Sequence, residues 1–488
     1  MPVRRTLALT SVLALTLSLA QAPHAAAKQP LPPPTPLPSA YAGSSSQKLP
    51  TEALDRWWLL FNDPTLNALE AEAFETSPDI RTAQARILEA RATRAAQLAQ
   101  TLPTGELQGT ASRQAGYVLN NNSSDLSSIG GVTQTYASNF NISWELDLFG
   151  RLAAQRRVAR ATDAEARFNV EGARATLAAD VADAYFQTRG LRIRLDDALA
   201  TARIERDLLD IARRKALAGA GPDDDQDRVG AQVAHDDAQA ADLQAQLDDQ
   251  RRLLLILVGR DLRDLDRLPD APPPQVPLPP RALPSELLAR RPDIREAEYR
   301  LRAELGTAAL AHKAIFPTIT LLPALGANST TSPGVSYIPP TTLVTAEQTF
   351  STGFWTLGAG INVPVLDIPK LLDQAHAEDA RARQVAIAYQ KTVRTAFGEA
   401  QNALDDLAAG ERATDLLTTG EQQARKAYEG SRRRYAAGLD DLTTTLTAEQ
   451  SWRDLRSALT AERVDTLRKA VRTYKALGGG WSATGEVG

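Results

Sequence analysis

Between Tyr136 and Leu148 every even position is apolar or small: Tyr136, Ser138, Phe140, Ile142, Trp144, Leu146 and Leu148. The odd positions are Ala137, Asn139, Asn141, Ser143, Glu145 and Asp147. Strict alternation puts each set on one face of a strand. A weaker partner precedes it, with Leu107, Gly109 and Ala111 set against Glu106, Gln108, Thr110 and Ser112. The plan recurs downstream, where Ile319, Leu321 and Leu325 alternate in one segment and Trp355, Leu357, Ala359, Ile361, Val363 and Val365 in the next. Strands of about ten residues with one polar face and aromatic residues near the ends match the transmembrane β pattern. A soluble sandwich strand with one wet face has the same alternation.

Each hairpin leads into a long helical pattern. Residues 151–218 contain no proline, and Leu177, Val181, Ala184, Thr188, Leu191, Leu195, Ala198 and Ala202 repeat at 4-3-4-3 spacing, a coiled-coil seam. The twin stretch, 370–437, carries Val385, Tyr389, Val393, Ala396, Ala400, Ala403 and Leu407. At 1.5 Å per residue each rod would reach about 100 Å. Each ends at a glycine turn, Gly219 or Gly438, from which a second helix returns. An earlier helix is expected from Pro64 to Leu102, ended by Pro103.

The two halves are copies. Pro78-Asp79-Ile80-Arg81 recurs as Pro292-Asp293-Ile294-Arg295, Pro103-Thr104 as Pro317-Thr318, and Leu146-Asp147 as Leu366-Asp367. Such repetition dictates architecture. The chain divides into a signal peptide (1–27), a Pro-rich N-terminal strap (28–63), a first repeat (64–267), a Pro-rich connector (268–284), a second repeat (285–477) and a C-terminal tail (478–488).

Composition narrows the class. The net charge of −4 gives no basic face for a nucleic acid, and the absence of cysteine excludes disulfides, thiolate metal sites and a lipidated cysteine. Arg4 and Arg5, an apolar run from Leu7 to Leu19 and Ala25-Ala26-Ala27 form the three parts of a secretory signal, too short to span a bilayer. The four histidines, His24, His235, His312 and His376, have no ligand spacing and no adjacent nucleophile, so no enzyme, cofactor or metal is expected. Gly358-Ala359-Gly360 lacks the third glycine and the helix of a dinucleotide loop.

Two amphipathic hairpins in an exported chain favour membrane strands, yet four strands cannot close a barrel, and open edges are not tolerated in lipid. Three chains would pool twelve. The expected fold class is therefore an α+β membrane protein, internally duplicated, with a trimeric twelve-stranded β-barrel continuous with a long α-helical barrel. A trimeric coiled-coil adhesin or scaffold would explain the rods but not the hairpins.

Five stretches stand out: Trp57-Trp58 through Pro64, WELDLFGR at Trp144 to Arg151, LPSELLARRPDIREAE at Leu283 to Glu298, FPTITL at Phe316 to Leu321, and PVLD at Pro364 to Asp367. With them the sequence resembles the outer-membrane factors of the TolC/OprM type, nearest to the OprM/NodT-like members. The resemblance implies a homotrimer in the outer membrane of a Gram-negative bacterium, with its helices in the periplasm. It implies an efflux duct, with a periplasmic adaptor and an inner-membrane transporter, usually of the resistance-nodulation-division class, as partners. A type I secretion channel is the alternative within the same class. The chain departs from the pattern in having no N-terminal cysteine, and Thr447 where relatives often carry an acid.

On that resemblance the tips, Gly219, Gly438 and Leu439, would meet the adaptor. Around a threefold axis Asp223, Asp224, Asp225, Asp440 and Asp441 would form an acidic periplasmic aperture favouring cations, although Asp after a glycine turn is also a good helix cap. Tyr435 stands where some members keep a gating tyrosine, or packs in the core. Phe140, Trp144 and Trp355 are the expected lipid-facing anchors of the strands. Opening would be an untwisting of the inner helical pairs.

Overall fold

The structure, a computed structural model, describes residues 54–116, 131–218, 224–262, 290–338 and 342–482. The signal, most of the strap, the connector, both hairpin tips, Gly219 and Asp223 lie outside the described residues.

A 3-10 turn, Trp57–Phe61, leads into α1 (Pro64–Thr76) and α2 (Pro78–Ala99). Then come β1 (Thr104–Ala115), β2 (Val132–Leu146), α3 (Arg151–Leu217) and α4 (Asp224–Val258). The second half repeats this order as α5 (Pro292–Lys313), β3 (Thr318–Ile338), β4 (Thr342–Asn362), α6 (Ile368–Ala436) and α7 (Leu442–Ala476).

The single helix expected over 64–102 is two. The apolar spacing runs across the break, but Pro78 keeps Ser77 out of the helical region, at ψ 130°. Pro78 and its copy Pro292 each open a helix at its first position, with Asp79 or Asp293 in the first turn against the helix dipole. Two residues on, Ile80 and Ile294 are both buried, so the duplicated motif is a helix start with an apolar anchor.

The strands form one antiparallel sheet in the order β1-β2-β3-β4. β2 stops at Leu146, two residues short of the alternating pattern, because Asp147 turns to cap α3 through the amides of Leu152 (2.9 Å) and Ala153 (2.8 Å). β3 and β4 are each 21 residues long, about twice the expected length. Pairing of β2 with β3 skips the rungs beside Pro323, which has no amide to donate.

The main core lies among the helices. It gathers Leu54, Trp57, Trp58 and Phe61 with Leu66 and Leu69 of α1, Val181 to Phe186 of α3, Leu254 and Val258 of α4, and Leu467 to Tyr474 of α7. Trp57 stacks on Tyr474 at 5.6 Å. Asp63 caps α1 through the amides of Thr65 and Leu66 and is itself buried, held by Tyr185 (2.8 Å) and Arg189 (2.7 Å). The strap and tail thus reach further into the structure than their composition implies. Leu54, Trp57, Trp58, Phe61 and Asp63 are buried, Trp481 is buried, and the Gly480 amide donates to the Leu54 carbonyl at 3.0 Å.

Candidate functional site

The register settles which strand residues share a face. Leu107 lies opposite Phe140, Phe140 opposite Leu325 and Leu325 opposite Trp355. Trp144 lies opposite Leu321, and Ile319 opposite Ile361. Directly opposed residues project to the same side, so Phe140, Trp144 and Trp355 stand on one apolar face. The other face carries Glu106, Gln108, Thr110, Asn139, Asn141, Asn328 and Thr330. Trp355 is 79% exposed and all of β1 is exposed, so no layer of the described residues covers this sheet. Among the described residues its edges, β1 and β4, are open. Among the described residues no helix is long and apolar enough to cross a membrane.

Sheet and helices meet at a built junction. Phe149 stacks on Phe316 at 5.1 Å, and Lys313 donates to the Phe149 carbonyl at 2.5 Å. From there α3 and α6 run about 100 Å to the tips.

The α6–α7 tip is a Schellman turn. Gly438, at φ +74°, takes the left-handed position that a side chain would strain, and the Leu439 amide reaches back to the Arg434 carbonyl at 2.8 Å. Leu439 is 76% exposed. Asp440 accepts from Arg434 (2.9 Å) and Ser431 (3.0 Å), and Asp441 caps α7 through the Thr444 amide at 2.7 Å. Hydrogen bonding from Thr444, its hydroxyl first and then its amide, lowers the pKa of Asp441. Asp224 and Asp225 stand in the first turn of α4. Tyr435 packs with Leu208, Val229 and Leu442, and burial, with the charge of Asp225 behind it, raises its pKa. Asp440 thus has an ion-pair role and Asp441 a helix-cap role, and Tyr435 is a core residue within the protomer. Leu217, exposed at the end of α3, is a tip leucine that sequence reading missed.

A seam of arginines joins the two coils. From α7, Arg453 meets Glu205 of α3 (3.3 Å) and Asp236 of α4, Arg456 meets Asp197, and Arg468 meets Asp183 at 2.7 Å. Near the tips Arg228 of α4 donates to Thr443 of α7 at 3.2 Å. Around Arg453 three buried carboxylates converge, because Glu449 lies one turn earlier on α7. Burial, then the negative charge of Glu205, pushes the Glu449 carboxyl up to about 8. Long-range pairs of this kind leave no periodic trace, so the sequence alone offered no signal for them. No group of described residues could hold a metal ion.

Comparison with known proteins agrees with this geometry. A family model described as outer membrane efflux protein matches residues 69–260 and 283–479. A pyoverdine export outer membrane protein, OpmQ of Pseudomonas putida, is 29% identical over 468 residues, covering 94% of this chain and 95% of its own. The solvent efflux pump outer membrane protein SrpC, also of Pseudomonas putida, is 30% identical over 475 residues, covering 91% of this chain and 92% of its own. Among solved structures, the outer-membrane channel OprN superposes with a TM-score of 0.79 at 26% identity, over 93% of this chain and 99% of its own. The CmeC outer membrane channel of Campylobacter jejuni gives 0.80 at 21% identity, over 94% and 95%, a likeness of fold.

Proposed function

The chain belongs to the outer membrane efflux protein family, and from that premise we propose how its parts divide the work of a tripartite pump. It is an outer-membrane channel, not an enzyme. Its four-stranded sheet and helical bundle match the duplicated fold in which three chains close a twelve-stranded barrel over a periplasmic tube. The observation that carries this reading is the sheet itself, apolar on one side, polar on the other, open at both edges and continued by helices of 67 and 69 residues.

An adaptor and an inner-membrane transporter complete the assembly. We place the transporter in the resistance-nodulation-division class, on the sequence resemblance. The exposed tip, Gly438 with Leu439, is the proposed adaptor contact, with Gly219 its counterpart in the first repeat. Docking there would let α7 shear along α3, which the arginine seam holds shut at rest, and widen the aperture among Asp223, Asp224, Asp225, Asp440 and Asp441.

Purified protein should migrate as a trimer on unheated gels and conduct in planar bilayers. A trimer without conductance under any condition would remove the duct. For the shear, cysteines replacing Asp197 and Arg456 can be bridged with a bifunctional thiol reagent in a chain that has no other thiol. Efflux should stop when the bridge forms and resume with a cleavable linker cut. Unchanged efflux through bridged trimers would sink the shear.

A further inference from the structure

The polar face of the sheet carries, besides Leu322, two aromatic rings that stand out from it. In an outer-membrane barrel the apolar band faces lipid and the polar face lines the lumen, so Trp355 points outward and its even-numbered neighbours on β4 inward. Those neighbours include Phe350 and Phe354, flanking Thr352. Their rungs are Ser112–Thr135–Thr330–Phe350 and Gln108–Asn139–Gly326–Phe354, each phenyl the only apolar side chain in its row. The rings are 64% and 44% exposed, and neither stacks on another aromatic ring among the described residues. At about 3.3 Å per residue they stand some 13 Å apart along the strand. Phe354 lies level with Asn139 at the middle of β2, and Phe350 level with Thr135 towards its outer end, next to the level where the apolar band gives way to Ser329 and Ser351.

Gly326 shows that one ring has a prepared seat. A Cβ there would come within 2.7 Å of the Phe354 ring and 2.5 Å of the Asn139 amide oxygen. The ring therefore lies across β3 over Gly326. An aromatic face in a water-filled passage is a site for apolar contact and for cations over the ring.

We propose that Phe350 and Phe354 form an apolar collar on the inner wall of the barrel, two phenyl rings from each of three chains, where aromatic or apolar organic cations make contact on their way out. The proposal rests on the channel reading, and deepens it by naming the class of cargo that the barrel itself favours.

The lack of cysteine makes the test clean. Thr352→Cys places a lone thiol between the rings, and its rate of modification by a membrane-impermeant thiol reagent is read in intact cells. Tetraphenylphosphonium should slow that rate about fivefold, while tetramethylammonium, of equal charge but without rings, leaves it unchanged. In a Phe350→Ser/Phe354→Ser background the slowing should fall to less than about 1.5-fold, and Phe350→Leu/Phe354→Leu should retain an intermediate effect. Trimer bands on unheated gels confirm assembly for each variant. Equal protection with and without the rings would overturn the collar and leave the channel standing. A thiol at 352 that never reacts in assembled trimers, while Trp355→Cys does, would invert the faces and overturn both.

Discussion

The two coils of each protomer are nearly equal in length and differ in what they bury. Between α3 and α4 the seam is leucine: Leu191, Leu195, Leu243 and Leu247, with Ala240. Between α6 and α7 hydroxyls and rings take that place. Thr414 meets Thr466 at 3.2 Å, Ser431 meets Thr445 at 3.3 Å, and Tyr428 stacks on Trp452 at 5.2 Å. Interdigitated leucines resist sliding because every displacement opens a void. Hydroxyl pairs and flat stacked rings tolerate small shifts by exchanging partners. Duplication supplied two rods of nearly the same length, and divergence of their seams made one suited to hold and the other to move.

Four substitutions would sharpen or break this contrast, read as unfolding of the trimer by helical circular dichroism. Arg453→Met should do the most damage, about 3–5 kcal/mol, because it strands Glu205 and Asp236 without their guanidinium where both coils meet. A loss below about 1 kcal/mol would mean that the arginine is no link between them. Leu247→Ala should cost about 3 kcal/mol, since the side chain is fully buried in the dry seam.

Glu449→Gln should stabilise, and by an amount that depends on pH. The native carboxyl titrates at about 8, whereas an unfolded one titrates near 4.3. Native protein thus holds a proton that the unfolded chain releases, so Glu449 favours folding most below about pH 4.3 and progressively less up to about pH 8. The midpoint advantage of the glutamine variant should be near zero at roughly pH 4, widen to a few degrees by pH 8, and stay level above. An advantage that narrows as pH rises would refute the assignment. Thr466→Val should change stability least, within about 1 kcal/mol. If it equals Leu247→Ala, the two seams are mechanically alike and the distinction between holding and moving fails.

Much of the architecture was legible because it is periodic. The alternation around Phe140 and Trp144 falls on β2, starting four residues late and ending two residues late, the 4-3-4-3 run from Leu177 to Ala202 lies inside α3, and the copied Pro-Asp-Ile motif marks equivalent helix starts. What periodicity cannot carry was missed. Ser77–Pro78 breaks a helix whose apolar spacing continues unbroken, since the clash is local to the backbone. Trp57 and Tyr474 meet although no pattern connects them. At the tips the sequence supplied the residues but not their partners. Asp440 reads as free acid in a list of letters, and as an ion-pair partner of Arg434 once the turn has closed. The arginine seam depends on pairing across hundreds of residues, which only the fold reveals.

The contact of Trp57 with Tyr474, and of Leu54 with Gly480, sets a clock on biogenesis. Ribosomes deliver the N-terminal end first. The aromatic cluster of Trp57, Trp58 and Phe61 stays open until α7 has emerged, because that helix forms its far wall. Neither half of the duplicated chain can therefore mature while the other is being made. A frameshift ahead of Tyr474, beyond both hairpins and both rods, would leave Trp57 without the ring it stacks on.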